Sequence, residues 1–265
     1  MTTVGYETIV VERSGGVVSV TLNRPERKNA ANALMWQELL ATFRQVARDS
    51  ADRVMVVTGA GGAFCSGADI TDPSGVGGEP DDPHLVRMRL LAEVMLALHQ
   101  IAKPTIAKVR GVAAGAGLSI ALGCDLIVAS DNARMSEIFA RRGLSLDGGA
   151  SWMLPRMVGL HRAKELAFFA EMISAEEAAA YGLVNRVVPD AELDGFVDDW
   201  ARRLAAGPPI ALSMTKTLLD NSLSTSMAQA LEDEARCQAV NLNTEDTAEA
   251  MIAFASKREP RFQGR

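Results

Sequence analysis

The chain has 265 residues, of which 48% are hydrophobic and 23% charged, the balance of an ordinary folded domain rather than of a disordered or fibrous chain. Its 27 Lys and Arg against 33 Asp and Glu leave a net charge of −6, which argues against a surface devoted to nucleic acid or anionic lipid. The three cysteines, Cys65, Cys124 and Cys237, are widely spaced with no CxxC pair, so neither a disulfide framework nor a metal site is expected and a reducing cytoplasm is the default compartment.

The N-terminus lacks a basic segment followed by an apolar run, and no uncharged stretch reaches the roughly 18 residues that a membrane span requires. Thr8 to Leu22 contains two β-rich runs, TIVVER and VVSVTL, around Ser14-Gly15-Gly16, a hairpin signal. Asn23 to Asn32 reads as a turn. From Ala33 the apolar positions Trp36, Leu39, Leu40, Phe43, Val46 and Ala47 recur at helical spacing, with Asn32 as N-cap.

VMVVT at Val54 to Thr58 reads as a buried strand leading into a glycine-rich loop, GAGGAFCSGAD. Thr71 to Pro83 has no apolar period and many Gly, Pro and Asp residues, the pattern of a mobile surface loop and candidate lid. Leu85 to Ile101 is expected to be a helix, TIAKV a strand, GVAAGAG a second glycine turn, Ser119 to Leu122 a helix and LIVAS a strand. Asp147 has the look of a helix N-cap before ASWMLPRMVG, in which Pro155 is expected to kink the helix. ISAEEAAAYG, LVNRVV and Pro189 close the core, and the remainder is helical, including a long acidic helix from about Ser226. Strands alternating with helices indicate an α/β fold with a strong parallel component. The division expected is a core over residues 1–195 carrying the site, and a helical region over 196–265 serving assembly.

The two glycine-rich turns carry most of the chemistry. Each follows a strand and leaves small residues whose main-chain N–H groups can face a ligand, and Gly115-Ala116-Gly117 also opens a helix, where free N–H groups favour developing negative charge. A nucleotide fingerprint is disfavoured, because no third glycine completes GxGxxG and no lysine follows.

Five segments in order, LNRPERKNA, GAFCSGADI, GVAAGAGLSIALGCDLIVA, GLSLDGGASWMLPRMVG and ISAEEAAAYGLVNRVVP, resemble the crotonase, or enoyl-CoA hydratase/isomerase, superfamily over essentially the whole chain. The resemblance implies a spiral ββα core with a helical C-terminal region, homotrimers or hexamers made as dimers of trimers, and an acyl-CoA thioester as substrate with no separate cofactor or metal. It implies an oxyanion hole from the N–H groups of Ala68 and Ala116, and CoA contacts from Arg24, Arg27, Lys28, Ala30, Ser66, Ala68, Asp69 and Ile70. Phe64, Val112, Gly115, Ser119, Phe139 and Gly148 are the expected pocket residues.

Hydratases of this superfamily hold water between two glutamates. Those positions fall on Ser119 and Phe139 here, so both carboxylates are absent and hydration by that pair is in doubt. Asp147 lies where several branches keep an acid, among them enzymes resembling 1,2-epoxyphenylacetyl-CoA isomerase and 4-chlorobenzoyl-CoA dehalogenase. One carboxylate suffices to carry a proton from C2 to C4 of an enolate, and partial burial would raise its pKa into a useful range. Glu137, on the same side as Phe139 if Ser136 to Phe139 is extended, is a further acid near the pocket. Three readings follow: an isomerase with Asp147 as base; an enoyl-CoA hydratase in which Asp147 or Glu137 activates water; and a CoA-thioester-binding protein without turnover. Cys65 is expected to be a packing residue, and His84, His99 and His161 have no evident place in the chemistry.

Overall fold

The structure is a computed structural model that describes residues 2–72 and 83–265, with the side chains of 2–4 left aside. Most of the segment expected to form a mobile lid, Thr71 to Pro83, therefore lies outside the described residues.

The elements run β1 (Thr2–Gly5), β2 (Ile9–Ser14), β3 (Val17–Leu22), α1 (Ala33–Arg48), β4 (Val54–Gly59), α2 (His84–His99), β5 (Thr105–Val109), β6 (Val112–Ala114), α3 (Ala116–Leu122) and β7 (Leu126–Ser130). There follow β8 (Arg134–Ser136), α4 (Ala150–Phe169), β9 (Ile173–Ser174), α5 (Ala175–Ala180), β10 (Arg186–Val188) and then the helices α6 (Leu193–Ala205), α7 (Pro209–Asn221), α8 (Met227–Asn241) and α9 (Glu245–Ala255).

Seven strands form one sheet in the order β1-β2-β3-β4-β5-β7-β10. The hairpin pairs are antiparallel and the pairs from β3 through β10 are parallel, as the alternation of strands and helices requires. Val11, Val18, Val20, Leu22, Met55 and Val57 pack from one side of this sheet with Trp36, Leu39, Phe43 and Val46 of α1 into the main core. The apolar stripe expected from Ala33 onward is the buried one, and Asn32 caps the helix by accepting the Met35 N–H at 3.0 Å.

The other face of the sheet, through Val54, Val56, Ile106 and Val128, is covered by Leu193, Val197 and Ala201 of α6. This helix spans the expected division at residue 195. A second sheet, β6-β8-β9, stands where the sequence indicated a glycine turn, a loop and the start of the ISAEEAAAYG helix, whose first two residues are β9.

Two details of the sequence reading are corrected. The break inside α4 falls at Gly159, with φ 74° and ψ 160°, rather than at Pro155. The residues after Ser226 form two helices rather than one, because Thr244 starts α9 by accepting the Thr247 N–H at 3.2 Å. Among the described residues no helix is long and apolar enough to cross a membrane.

Candidate active site

The first glycine-rich loop is held as an irregular strand between two neighbours. On one side Cys65 pairs with β6, its N–H donating to the Val112 carbonyl at 2.9 Å and its carbonyl accepting from Ala114 at 3.0 Å. On the other, Ala31 donates to the Gly67 carbonyl at 2.8 Å and accepts from the Asp69 N–H at 2.9 Å. Hydrogen-bonding direction alternates along a strand, so the Ala68 N–H, between these two contacts, is turned away from Ala31.

The second loop opens α3, and its first bond of helical spacing runs from the Ser119 N–H to the Gly115 carbonyl at 3.0 Å. The Ala116 N–H precedes it and has no intrahelical acceptor. The loops approach closely because residue 117 lacks a side chain: a Cβ on Gly117 would stand 2.3 Å from the Cys65 carbonyl oxygen. A Cβ on Gly67 would stand 3.9 Å from the Ala116 nitrogen, so the residue before Ala68 borders the start of α3. Two main-chain donors near one point can stabilise a thioester oxygen as it gains charge, without any side-chain acid.

Ser119 is fully buried, and its hydroxyl lies 3.2 Å from the Asp147 carbonyl oxygen and 3.3 Å from that of Gly115. The loop from residue 143 to 149 is thereby tied to the first turn of α3. Gly148 makes the approach possible, since a Cβ there would meet Ser119 Cβ at 2.8 Å and its φ of +57° suits glycine. A glutamate cannot simply replace Ser119 in this packing.

Asp147 does not cap α4. The N-cap is Gly149, with no side-chain capping bond, and only the Asp147 main-chain carbonyl meets the helix, accepting from Ala150 at 3.1 Å. Its carboxyl is half-buried, and among the described residues Oδ1 has no hydrogen-bond partner. Burial pushes its pKa up to about 6. A carboxylate so placed is ionised at neutral pH yet basic enough to take a proton from a stabilised enolate precursor.

Glu137 is more deeply buried than its sequence position suggested. It is 2% exposed, and neither carboxyl oxygen has a hydrogen-bond partner among the described residues. Burial first, and the charge of Asp147 second, push its pKa up to about 8. The alternation argument for it does not hold, because Ile138 to Arg142 is a 3-10 turn rather than an extended strand. Phe139 is 5% exposed and its ring packs against Gly115, 3.7 Å from where a Cβ would lie, making an apolar wall beside the second loop.

At the expected CoA end, Arg24 is engaged within the protein: one guanidinium nitrogen donates to the Ala30 carbonyl at 2.6 Å and to Asp69 at 2.9 Å. Asp69 also accepts from the Thr71 hydroxyl and N–H at 2.6 and 3.0 Å, and these bonds hold its carboxyl below the usual range. The exposed cations of the turn are Arg27 and Lys28. Ser66 donates its hydroxyl to the Arg27 carbonyl at 3.3 Å, and Ile70 is 82% exposed beyond it.

Asn29 was not singled out by sequence. Its amide donates to the Ala60 and Ala63 carbonyls at 2.9 and 2.8 Å while its oxygen accepts from the Arg24 N–H, pinning the basic turn to the first glycine loop. An Asn at a left-handed position, φ 55°, after a basic turn was the available signal.

Phe64 is fully buried in the main core, and Val112 contributes its carbonyl to Cys65. Burial pushes the Cys65 thiol up to about 11, in keeping with a packing role. His99 stacks edge-on against Trp152 at 5.4 Å and His84 lies at the start of α2, beside Arg87. Among the described residues no three His, Cys, Asp or Glu side chains are grouped so as to hold a metal ion.

The family model described as enoyl-CoA hydratase/isomerase matches residues 12–265. A Rhodobacter capsulatus protein named "Probable enoyl-CoA hydratase" is 40% identical over 260 residues, 98% of this chain and 99% of the relative. The 1,2-epoxyphenylacetyl-CoA isomerase of Escherichia coli is 36% identical over 252 residues, 94% of this chain and 96% of its own. The solved enoyl-CoA hydratase of Bacillus anthracis superposes with a TM-score of 0.92 at 30% identity, covering 98% of this chain and 100% of that one. The chain has the crotonase fold and belongs to the enoyl-CoA hydratase/isomerase family.

Proposed function

We propose that the protein is an acyl-CoA isomerase that moves a carbon–carbon double bond from the 3 to the 2 position of an enoyl thioester. The carrying observation is Asp147: an acid at the head of α4 that leaves the cap to Gly149 and keeps a buried carboxyl oxygen with no hydrogen-bond partner among the described residues. In this reading the N–H groups of Ala68 and Ala116 bind the thioester oxygen. They lower the acidity barrier at C2, and Asp147 removes a C2 proton to give a dienolate that is reprotonated at C4. The near relationship to an isomerase supports this, as does serine at position 119, which is occupied in tying the Asp147 loop to α3.

The pantetheine and phosphates of the substrate are proposed to follow the first loop, past Ala30, Ser66, Ala68, Asp69 and Ile70, toward Arg27 and Lys28. Arg24 supports that edge by holding Asp69 and Ala30 in place. A trimer, paired into hexamers, is the proposed assembly. Apolar side chains left open on α4 and α9, including Phe168, Phe169 and Phe254 at 71%, 67% and 86% exposure, are in keeping with buried subunit contacts.

Enoyl-CoA hydration is the second reading, favoured by one observation: Glu137, buried, and Asp147, half-buried, together supply two carboxyls despite the loss of the two expected positions. The deciding experiment incubates the purified protein with a 3-enoyl-CoA and, separately, a 2-enoyl-CoA, then repeats both with Asp147→Asn. Conversion of the first substrate, lost in the variant, is the expected result. Rapid hydration of the second would favour the hydratase, isomerisation unaffected by D147N would remove Asp147 from its role, and binding of both without turnover would leave a thioester-binding protein.

A further inference from the structure

The proton shuttle just described uses one carboxylate, yet the fold brings a second to the same place. Ser136, the last residue of β8, lies in register with Ala114 of β6, and its carbonyl accepts the Gly115 N–H at 2.9 Å. Glu137 is therefore the next residue along from the strand that holds the second glycine loop. It makes no side-chain capping bond to the 3-10 turn that follows, so local structure gives no reason for a glutamate there. With 2% exposure and neither oxygen partnered among the described residues, the carboxyl is stable only as the neutral acid or in contact with a ligand. Among the described residues the charged group whose field reaches it is Asp147, whose Oδ1 is likewise buried and without a partner there. Arg141 and Arg142, on the following turn, are exposed and give it no compensating charge.

We propose that Glu137 is a second catalytic acid, delivering to C4 the proton that completes the double-bond shift while Asp147 accepts the one leaving C2. This rests on the isomerase reading and deepens it. The C2–H bond breaks, its proton joins the Asp147 carboxylate, and its electron pair forms the C2–C3 double bond. The former C3–C4 π pair takes the Glu137 carboxyl proton and becomes the new C4–H bond, leaving Glu137 ionised. Proton transfer from Asp147 to Glu137 then restores the starting state, so no proton is consumed and no co-reactant is needed. The return is downhill, because Glu137 is the more deeply buried of the two and its charged form is the more strongly disfavoured.

The test compares wild type, Glu137→Gln and Asp147→Asn on trans-3-hexenoyl-CoA between pH 5 and pH 10, with circular dichroism as a check on folding. Glutamine keeps the size and neutrality of the resting acid but has no proton to give. Wild type is expected to show a high-pH fall in kcat near 8, and E137Q to abolish that fall and lower kcat by about 10²–10³-fold with KM nearly unchanged. E137D, which keeps the acid, is expected to recover part of the rate, and it carries the test if E137Q does not fold. Wild-type kcat with an intact high-pH limb in E137Q overturns the proposal, and if D147N is inactive in the same series the single-carboxylate isomerase stands without it. A wild type that leaves the 3-enoyl substrate unchanged overturns both.

Discussion

Ser119 and Asp147 are joined side chain to main chain: the serine hydroxyl donates to the Asp147 carbonyl at 3.2 Å, from a position with no solvent exposure. Ser119, where the family resemblance places a hydratase glutamate, thus holds the loop that carries Asp147. Restoring the glutamate should not restore hydration. Ser119→Glu would drive a larger side chain into Gly148, already so close that a Cβ there would be 2.8 Å from Ser119 Cβ. A lower melting temperature and no gain of 2-enoyl-CoA hydration are expected. The milder Ser119→Ala should cost about 1 kcal/mol, the net value of one buried hydrogen bond, and reduce kcat more than it alters KM.

Gly117 sets the spacing of the two proposed oxyanion donors. Gly117→Ala would place a Cβ 2.3 Å from the Cys65 carbonyl oxygen, a clash with backbone that no side-chain rotation relieves. Either α3 or the strand through Cys65 must move. Loss of about 3 kcal/mol in chemical denaturation is expected, with kcat falling about 10²-fold even where the variant still binds substrate, because one donor is displaced.

The cationic turn separates into Arg24, engaged within the protein, and the exposed Arg27 and Lys28, which are proposed to face the ligand. Arg27→Ala with Lys28→Ala should raise KM several-fold, leave kcat unchanged and weaken the salt dependence of binding, since both side chains are exposed. Asp69→Ala removes the partner of Arg24, where the two side chains are 8% and 17% exposed, and should lower stability by about 2 kcal/mol. Calorimetry and steady-state kinetics on the same preparations distinguish the two effects.

Glu137 and Asp147 also make stability depend on pH. Their folded pKa values lie above the ordinary values of 4.5 and 3.8, so the native state holds protons that the unfolded chain has released. Stability is therefore highest below pH 4 as far as these two groups are concerned, and falls as pH rises through about 6 for Asp147 and about 8 for Glu137. The Tm of Glu137→Gln should decline less steeply than that of wild type between pH 6 and pH 9. Parallel curves would contradict the raised Glu137 pKa.

Much of the frame was legible because its elements are long enough to show a period. The hairpin around Ser14-Gly15-Gly16, the buried stripe and Asn32 cap of α1, and the strands VMVVT, TIAKV and LIVAS all stand as expected. The second sheet was not legible, since β6 and β8 have three residues each and β9 has two, too few for alternation to register. These strands are fixed by pairing partners distant in sequence. Asp147 looked like a cap because Asp followed by Gly-Gly is common at helix starts, yet the left-handed Gly149, φ 82°, takes that position and leaves the carboxyl unspent. Glu137 was underestimated for a related reason: a strand ending at Ser136 and a turn starting at Ile138 leave it on neither pattern, and its burial comes from tertiary packing alone. The Ala68 and Ala116 donors were named through family resemblance, since main-chain chemistry leaves little mark on residue type.

The central claim is that Asp147 removes a C2 proton from a bound thioester. Incubating the protein with trans-3-hexenoyl-CoA in deuterated water and following the C2 protons by nuclear magnetic resonance reports that step on the activated substrate. Enzyme-dependent exchange or loss of C2 protons, slowed about 10²-fold or more in Asp147→Asn, is the expected result. The same rate in the variant, or wild type that binds the thioester and leaves its C2 protons in place, would contradict the account.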